Sequence, residues 1–251
     1  NRFDAAEREY GEALEICRRL AKVNPGKYEE DVATTLNNLG ALHVGMNQQD
    51  PAEGEYVEAL VICRRLARLT PERYESNVAM TLNNLATLHK NQKRFEDAER
   101  EYGEALEIYL RLTRTSIGKY EGDLAGTLNN FASLNNDLER FRAAEEKYDK
   151  ALEIYRRLAG ANPLKYDKYV AQTLCGLVIV HIRLGQAGKG KAAANEALII
   201  YRRLAMGNES VYREKIEACE KLLEELRRNA RQSGHVARTL RIVGFLFRVP
   251  I

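Results

Sequence analysis

The chain has 251 residues, about 45% of them apolar and 30% charged, and a net charge of +3. That is an ordinary soluble composition with room for one large domain or one repeat array. So small a positive excess argues against a general nucleic-acid or membrane-surface binder, which needs a concentrated basic face. The sequence shows no signal peptide and no apolar run near the ~18 residues of a membrane span.

One short word orders the chain. Thr35-Leu36-Asn37-Asn38 returns as Thr81-Leu82-Asn83-Asn84, as Thr127-Leu128-Asn129-Asn130 and, decayed, as Thr173-Leu174-Cys175-Gly176, each 46 residues after the last. A fixed period of this size marks a stacked-repeat architecture. In chain order the period gives the second helix of an incomplete repeat (1–28), four repeats (29–74, 75–120, 121–166, 167–212), a capping helix (213–230) and an apolar, basic tail (231–251). The chain begins at Asn1 in mid-pattern, so more repeats are expected upstream in a parent protein.

Each repeat holds two helical patterns. The first is predicted over about 30–43, where Leu36, Leu39, Gly40 and His43 fall at i, i+3, i+4 and i+7. The second is predicted over about 51–69, with Ala52, Tyr56, Ala59, Leu60, Cys63 and Leu66 as its buried stripe. Glu15–Arg19, Glu107–Arg111 and Glu153–Arg157 are spaced i,i+4 and predict ion pairs along the outer face. Between repeats, Pro25, Pro71 and Pro163 are expected to stop the second helix. The periodic Tyr28, Tyr74, Tyr120, Tyr166 and Tyr212 are expected to plug the gap there.

Three features invite chemistry. Gly185 to Ala192 nearly matches a phosphate-binding loop, but Ala192 replaces the hydroxyl that would hold magnesium. The repeat phase puts 177–182 on a first helix and 185–191 in the turn after it, so no nucleotide site is expected. His43, His89 and His181 share one repeat position, one repeat step apart, too far to share a zinc at ~2.0–2.1 Å; they predict packed core histidines. The four cysteines, Cys17, Cys63, Cys175 and Cys219, form no C-x-x-C pair and predict free thiols in a reducing compartment. No catalytic group, metal or cofactor is expected, and the localisation expected is cytoplasmic.

Leu36 to His43, followed by Ala52, Tyr56 and Ala59, resembles the tetratricopeptide repeat, and Arg94 to Glu99 matches its helix-turn-helix joint. The period is about twelve residues longer than the usual unit, as in the repeats of kinesin light chain and of bacterial signalling proteins. The resemblance covers residues 1–230. It implies an all-α, right-handed superhelical solenoid of antiparallel helix hairpins whose first helices line a concave groove.

The resemblance also implies which residues line that groove. They are Thr34, Asn37, Ala41 and Val44 in the first repeat, then Met80, Asn83, Thr87 and Lys90. Gly126, Asn129, Ser133 and Asn136 follow, then Gln172, Cys175, Ile179 and Ile182. Asn37, Asn83 and Asn129 would form a ladder whose amides pair with a peptide backbone, and the last repeat would add an apolar pocket. The second asparagines, Asn38, Asn84 and Asn130, have the alternative of bonding neighbouring turns.

The reading is a non-enzymatic scaffold that binds a protein or peptide, with no nucleic-acid or membrane partner. The alternatives are a self-associating module, acting through 231–251 or the uncapped first helix, and the regulatory segment of a larger signalling enzyme. The tail could fill a groove, pack as an extra helix, or be an accident of the gene boundary.

Overall fold

In a computed structural model the chain is described for residues 2–116 and 118–229. The expectations for the tail, 231–251, lie outside the described residues. Ten α-helices and no strands are found among them: α1 (Arg2–Val23), α2 (Pro25–Gly45), α3 (Gln49–Leu69), α4 (Pro71–Asn91), α5 (Phe95–Thr115), α6 (Glu121–Asp137), α7 (Phe141–Ala161), α8 (Pro163–Arg183), α9 (Ala187–Ala205) and α10 (Glu209–Asn229). Even-numbered helices are the first helices of the repeats (A helices), and odd-numbered ones the second (B helices). The described residues form two compact halves that divide at Asp123/Leu124. In the N-terminal half α1 to α5 pack in sequence order; in the C-terminal half α7 to α10 do the same. This is the helix-on-helix stacking of a tetratricopeptide-like solenoid, in which each hairpin buries its apolar face only against its neighbours.

The predicted B-helix stripe is the core. Ala52, Tyr56, Ala59, Leu60, Cys63 and Leu66 are all buried. Spacing decides this, since these positions share one face at 100° per residue. Gly40 on α2 lets the Tyr56 ring close in: a Cβ at Gly40 would stand 2.7 Å from the ring.

The A helices begin earlier than the apolar pattern showed. Pro25, Pro71 and Pro163 stop the B helix as expected, since the residue before each is held in extended backbone with ψ near 80°, and each also opens the following A helix at its first position. Proline lacks the N–H that a helix start leaves unpaired, and its fixed φ suits the first turn. A single residue, Asn24, Thr70 or Asn162, links the helices. The periodic tyrosines therefore sit on a helical first turn rather than in a loop, at Tyr28, Tyr74 and Tyr166. In each case the preceding cation, Lys27, Arg73 or Lys165, lies 4.9 Å from the ring centroid.

The turn from A helix to B helix is the same in all four repeats. Asn47, Lys93, Glu139 and Gly185 take positive φ of 60°, 63°, 57° and 73°. The next amide bonds back to the carbonyl of His43, His89, Asn135 or His181, at 2.7 to 2.8 Å. This is the six-to-one bond of a Schellman cap, and the left-handed residue before it suits glycine. Only the fourth turn has one. The turn spans 184–186, so Gly188, Lys189, Gly190 and Lys191 lie in α9 and not in a loop. Lys189 reaches Glu145 at 3.4 Å and Gly190 packs on Ile182.

Candidate functional site

The repeated word turns out to interlock. In the N-terminal half the Asn37 amide donates to Ala33 O at 3.1 Å and to Thr81 Oγ1 at 2.9 Å, on the next A helix. Thr81 spends its own proton on Asn77 O at 2.8 Å. In the C-terminal half Thr173 Oγ1 lies 3.0 Å from the Asn129 amide and 2.8 Å from Tyr169 O. One hydroxyl proton cannot serve both acceptors, so the Asn129 amide turns its NH2 to Thr173, as Asn37 does. Within each half the threonine of the later word thus receives the first asparagine of the word before.

Three expected groove residues are not on the surface. Asn37 is 4% exposed and Cys175 is 3% exposed. Cys175 holds the asparagine's place in the last word, with Sγ 3.7 Å from Tyr201 Oη on α9 and hydrogen-bonded to Cys219 on α10. Burial pushes its thiol well above the ordinary range. Ile182 is also buried, which leaves Ile179 alone of the expected apolar pocket partly open. Helical arithmetic placed these residues on a second stripe but could not show that the next A helix covers part of it.

The rest of the row is more open. Thr34, Ala41 and Met80 are exposed; Asn83, Thr87 and Lys90 are half-buried. In the C-terminal half Gly126, Asn129, Ser133, Asn136, Gln172 and Ile179 are half-buried. The small hydroxyls are tied to the B helices. Thr87 Oγ1 is 2.8 Å from Tyr102 Oη, and Ser133 bonds Tyr148.

The outer ion pairs also differ from the i,i+4 expectation. Arg111 bonds Glu75 on the preceding A helix, at 2.8 Å, rather than Glu107. Arg65–Glu29 (2.7 Å) and Arg203–Asp167 (2.5 Å) repeat the geometry. A second column joins successive B helices: Arg18–Glu58, Arg64–Glu104 and Arg156–Glu196, at 2.6 to 2.7 Å.

The histidine row is legible in the sequence, but its partners come from other helices. His43 Nδ1 is 2.8 Å from Glu55 on α3, and its Nε2 is 3.2 Å from Glu7 on α1. His89 repeats this with Glu101 on α5 (2.8 Å) and Glu53 on α3 (3.2 Å). The partners are themselves periodic, 12 residues after the histidine and 36 before it. That was the available signal, and it needed no structure. In the third repeat the pair is Asn135 and Lys147, and the Lys147 ammonium lies 4.6 Å from the Phe131 ring centroid. In the fourth, His181 keeps Glu145 at 3.3 Å, but Ala193 stands where Glu55 and Glu101 do, and Nδ1 has no hydrogen-bond partner.

Among the described residues no group of three or more His, Cys, Asp or Glu side chains is placed to hold a metal ion. No described helix is long and apolar enough to cross a membrane. The tetratricopeptide-repeat profile matches residues 32–67, 78–113 and 124–163, in register with the three intact words. No curated protein matches the chain by sequence. Among solved structures, BtubC (BKLC) from P. vanneervenii superposes with a TM-score of 0.64 at 21% identity, over 94% of each chain. The apo form of RapI gives 0.64 at 18% identity, over 89% of this chain and 58% of that one. Aspartyl phosphate phosphatase F from Bacillus subtilis gives 0.61 at 13%, over 96% and 69%. At these identities the likeness is one of fold. With the profile in phase over three repeats and helix hairpins recurring at a 46-residue period, residues 32–163 carry tetratricopeptide repeats of an extended kind.

Proposed function

We propose that the chain is a non-catalytic scaffold that binds a segment of another protein along the A-helix face. The observation that carries this reading is the row Thr34, Ala41 and Met80. These residues are exposed on successive A helices, while the core positions beside them are buried. Small and flexible side chains in such a row leave room for a peptide, and Lys90 and the amide of Asn83 add polar contacts. The buried Asn37 drops out of the ladder; its role is to fasten one A helix to the next. Binding is therefore expected to rest on Thr34, Ala41, Met80, Asn83, Thr87 and Lys90 in the N-terminal half. In the C-terminal half it rests on Asn129, Ser133, Asn136, Gln172 and Ile179. A peptide library selected on the wild-type chain should yield binders that lose at least tenfold affinity on Thr34→Arg with Ala41→Arg. Both sites are exposed, so the double variant should keep its helical circular dichroism. Selected peptides that bind the folded variant as tightly as wild type would place binding elsewhere.

A further inference from the structure

A neutral imidazole carries one N–H, and a carboxylate only accepts. A ring held between two carboxylates therefore satisfies both only as the imidazolium. His43 and His89 are held in this way, each by one carboxylate from its own B helix and one from the B helix before. Their side chains are 8% and 4% exposed. Each ring also lies where the A helix ends, its own carbonyl taking the cap bond from Gln48 or Arg94. One residue thus ties together an A-helix terminus, its partner and the preceding hairpin.

We propose that His43 and His89 are proton-dependent staples that tighten the hairpin stacking of the N-terminal half when charged, and that His181 works in the opposite sense in the C-terminal half. The groups facing each ring are few. Glu7 comes from α1 and Glu55 from α3 at His43; Glu53 from α3, Glu101 from α5 and Arg94 from the turn at His89; Glu145 and Asp149 from α7 and Lys189 from α9 at His181. Burial opposes charge on all three rings. At His43 and His89 the paired carboxylates outweigh it, and both titrate above the ordinary value of about 6.5. At His181 burial, helped by Lys189, outweighs Glu145 and Asp149, and the ring titrates below that value.

The signs follow from linkage. A raised histidine contributes fully below the unfolded value and loses its contribution as pH rises through the folded one. The two N-terminal staples therefore weaken on the alkaline side. Burial also raises the Glu55 carboxyl, so the His43 staple weakens again in acid, when Glu55 takes a proton. His181 has the reverse slope: the contribution of its neutral ring is present above about 6.5 and falls as pH drops below it. A fall in pH from 8.5 to 6 thus tightens one half and loosens the other.

The chain supplies its own control substitutions. Histidine NMR titration of the full chain, assigned with His→Asn variants, should give midpoints above 6.5 for His43 and His89 and below it for His181. Ala193→Glu should carry His181 across that value, and Glu101→Gln should bring His89 down. Backbone hydrogen exchange, corrected for its intrinsic pH dependence, should show α4 and α5 opening at least tenfold more readily at pH 8.5 than at pH 6. That difference should vanish in His89→Asn with Glu101→Lys, the pair the third repeat already uses. Midpoints that coincide near 6.5, or an opening ratio unchanged in the double variant, would overturn the proposal. If the double variant does not fold, the wild-type and Ala193→Glu titrations with wild-type exchange decide it.

Discussion

The two halves of the molecule fill one frame in different ways. In the N-terminal half a large B-helix tyrosine meets a small A-helix residue: Tyr56 lies against Gly40, and Tyr102 pairs in register with Ala86. At the C-terminal end the sizes are exchanged, with Val178 at the glycine position and Ala194 at the tyrosine position, both buried. The glutamate of the histidine staple is lost in the same turn of α9, at Ala193. The difference shows that the frame constrains summed volume and paired polarity rather than residue identity, as close packing requires. In the fourth repeat both the staple glutamate and the aromatic wedge are replaced within one helical turn, whereas the third repeat loses the glutamate, at Lys147, and keeps the buried tyrosine, Tyr148.

The largest effect should come from removing a wedge. Tyr102 is fully buried, and Tyr102→Ala should cost about 3–5 kcal/mol in chemical denaturation. Ala86→Val alone should cost about 1–3 kcal/mol by overpacking. The double variant copies the fourth repeat, so its cost should fall clearly below the sum of the two; strict additivity would mean that the pairs do not exchange as units. A smaller effect, of opposite sign, is expected at the caps. Glu139 holds the left-handed conformation that Gly185 holds in the fourth repeat, so Glu139→Gly should stabilise by about 1 kcal/mol. No change in denaturation midpoint would remove backbone strain from the comparison. Smallest is the exposed column. Arg64→Leu, which installs the residue found in register at Leu110, should cost less than about 1 kcal/mol.

How far the sequence reached depended on which forces act within one helix. The B-helix stripe from Ala52 to Leu66 was legible because helical periodicity alone places it. The word Thr-Leu-Asn-Asn was legible as a repeat, but not the bond from Asn37 to Thr81, which depends on how the next A helix leans on the last. For the same reason Cys175 read as groove lining, although α9 and α10 enclose it. The prolines are legible as stops of the B helices but not as starts of the A helices, because an apolar pattern fades in the polar first turn while the backbone stays helical. Arg111 was assigned to Glu107, four residues away on its own helix. Its bond to Glu75 runs between helices, and only the 36-residue offset, shared with Arg65–Glu29 and Arg203–Asp167, could have disclosed it.

The proposed function requires that the A-helix face, and not the outer B-helix surface, meets the partner. Methyl NMR with a selected peptide tests it most directly, because both faces of the N-terminal half carry exposed methyl groups. Ala41 and Met80 report on the A face; Val57 and Val61, 45% and 63% exposed on α3, report on the B face. Addition of the peptide should shift Ala41 and Met80 and leave Val57 and Val61 in place. Shifts confined to Val57 and Val61 would place the partner on the outer B-helix surface instead.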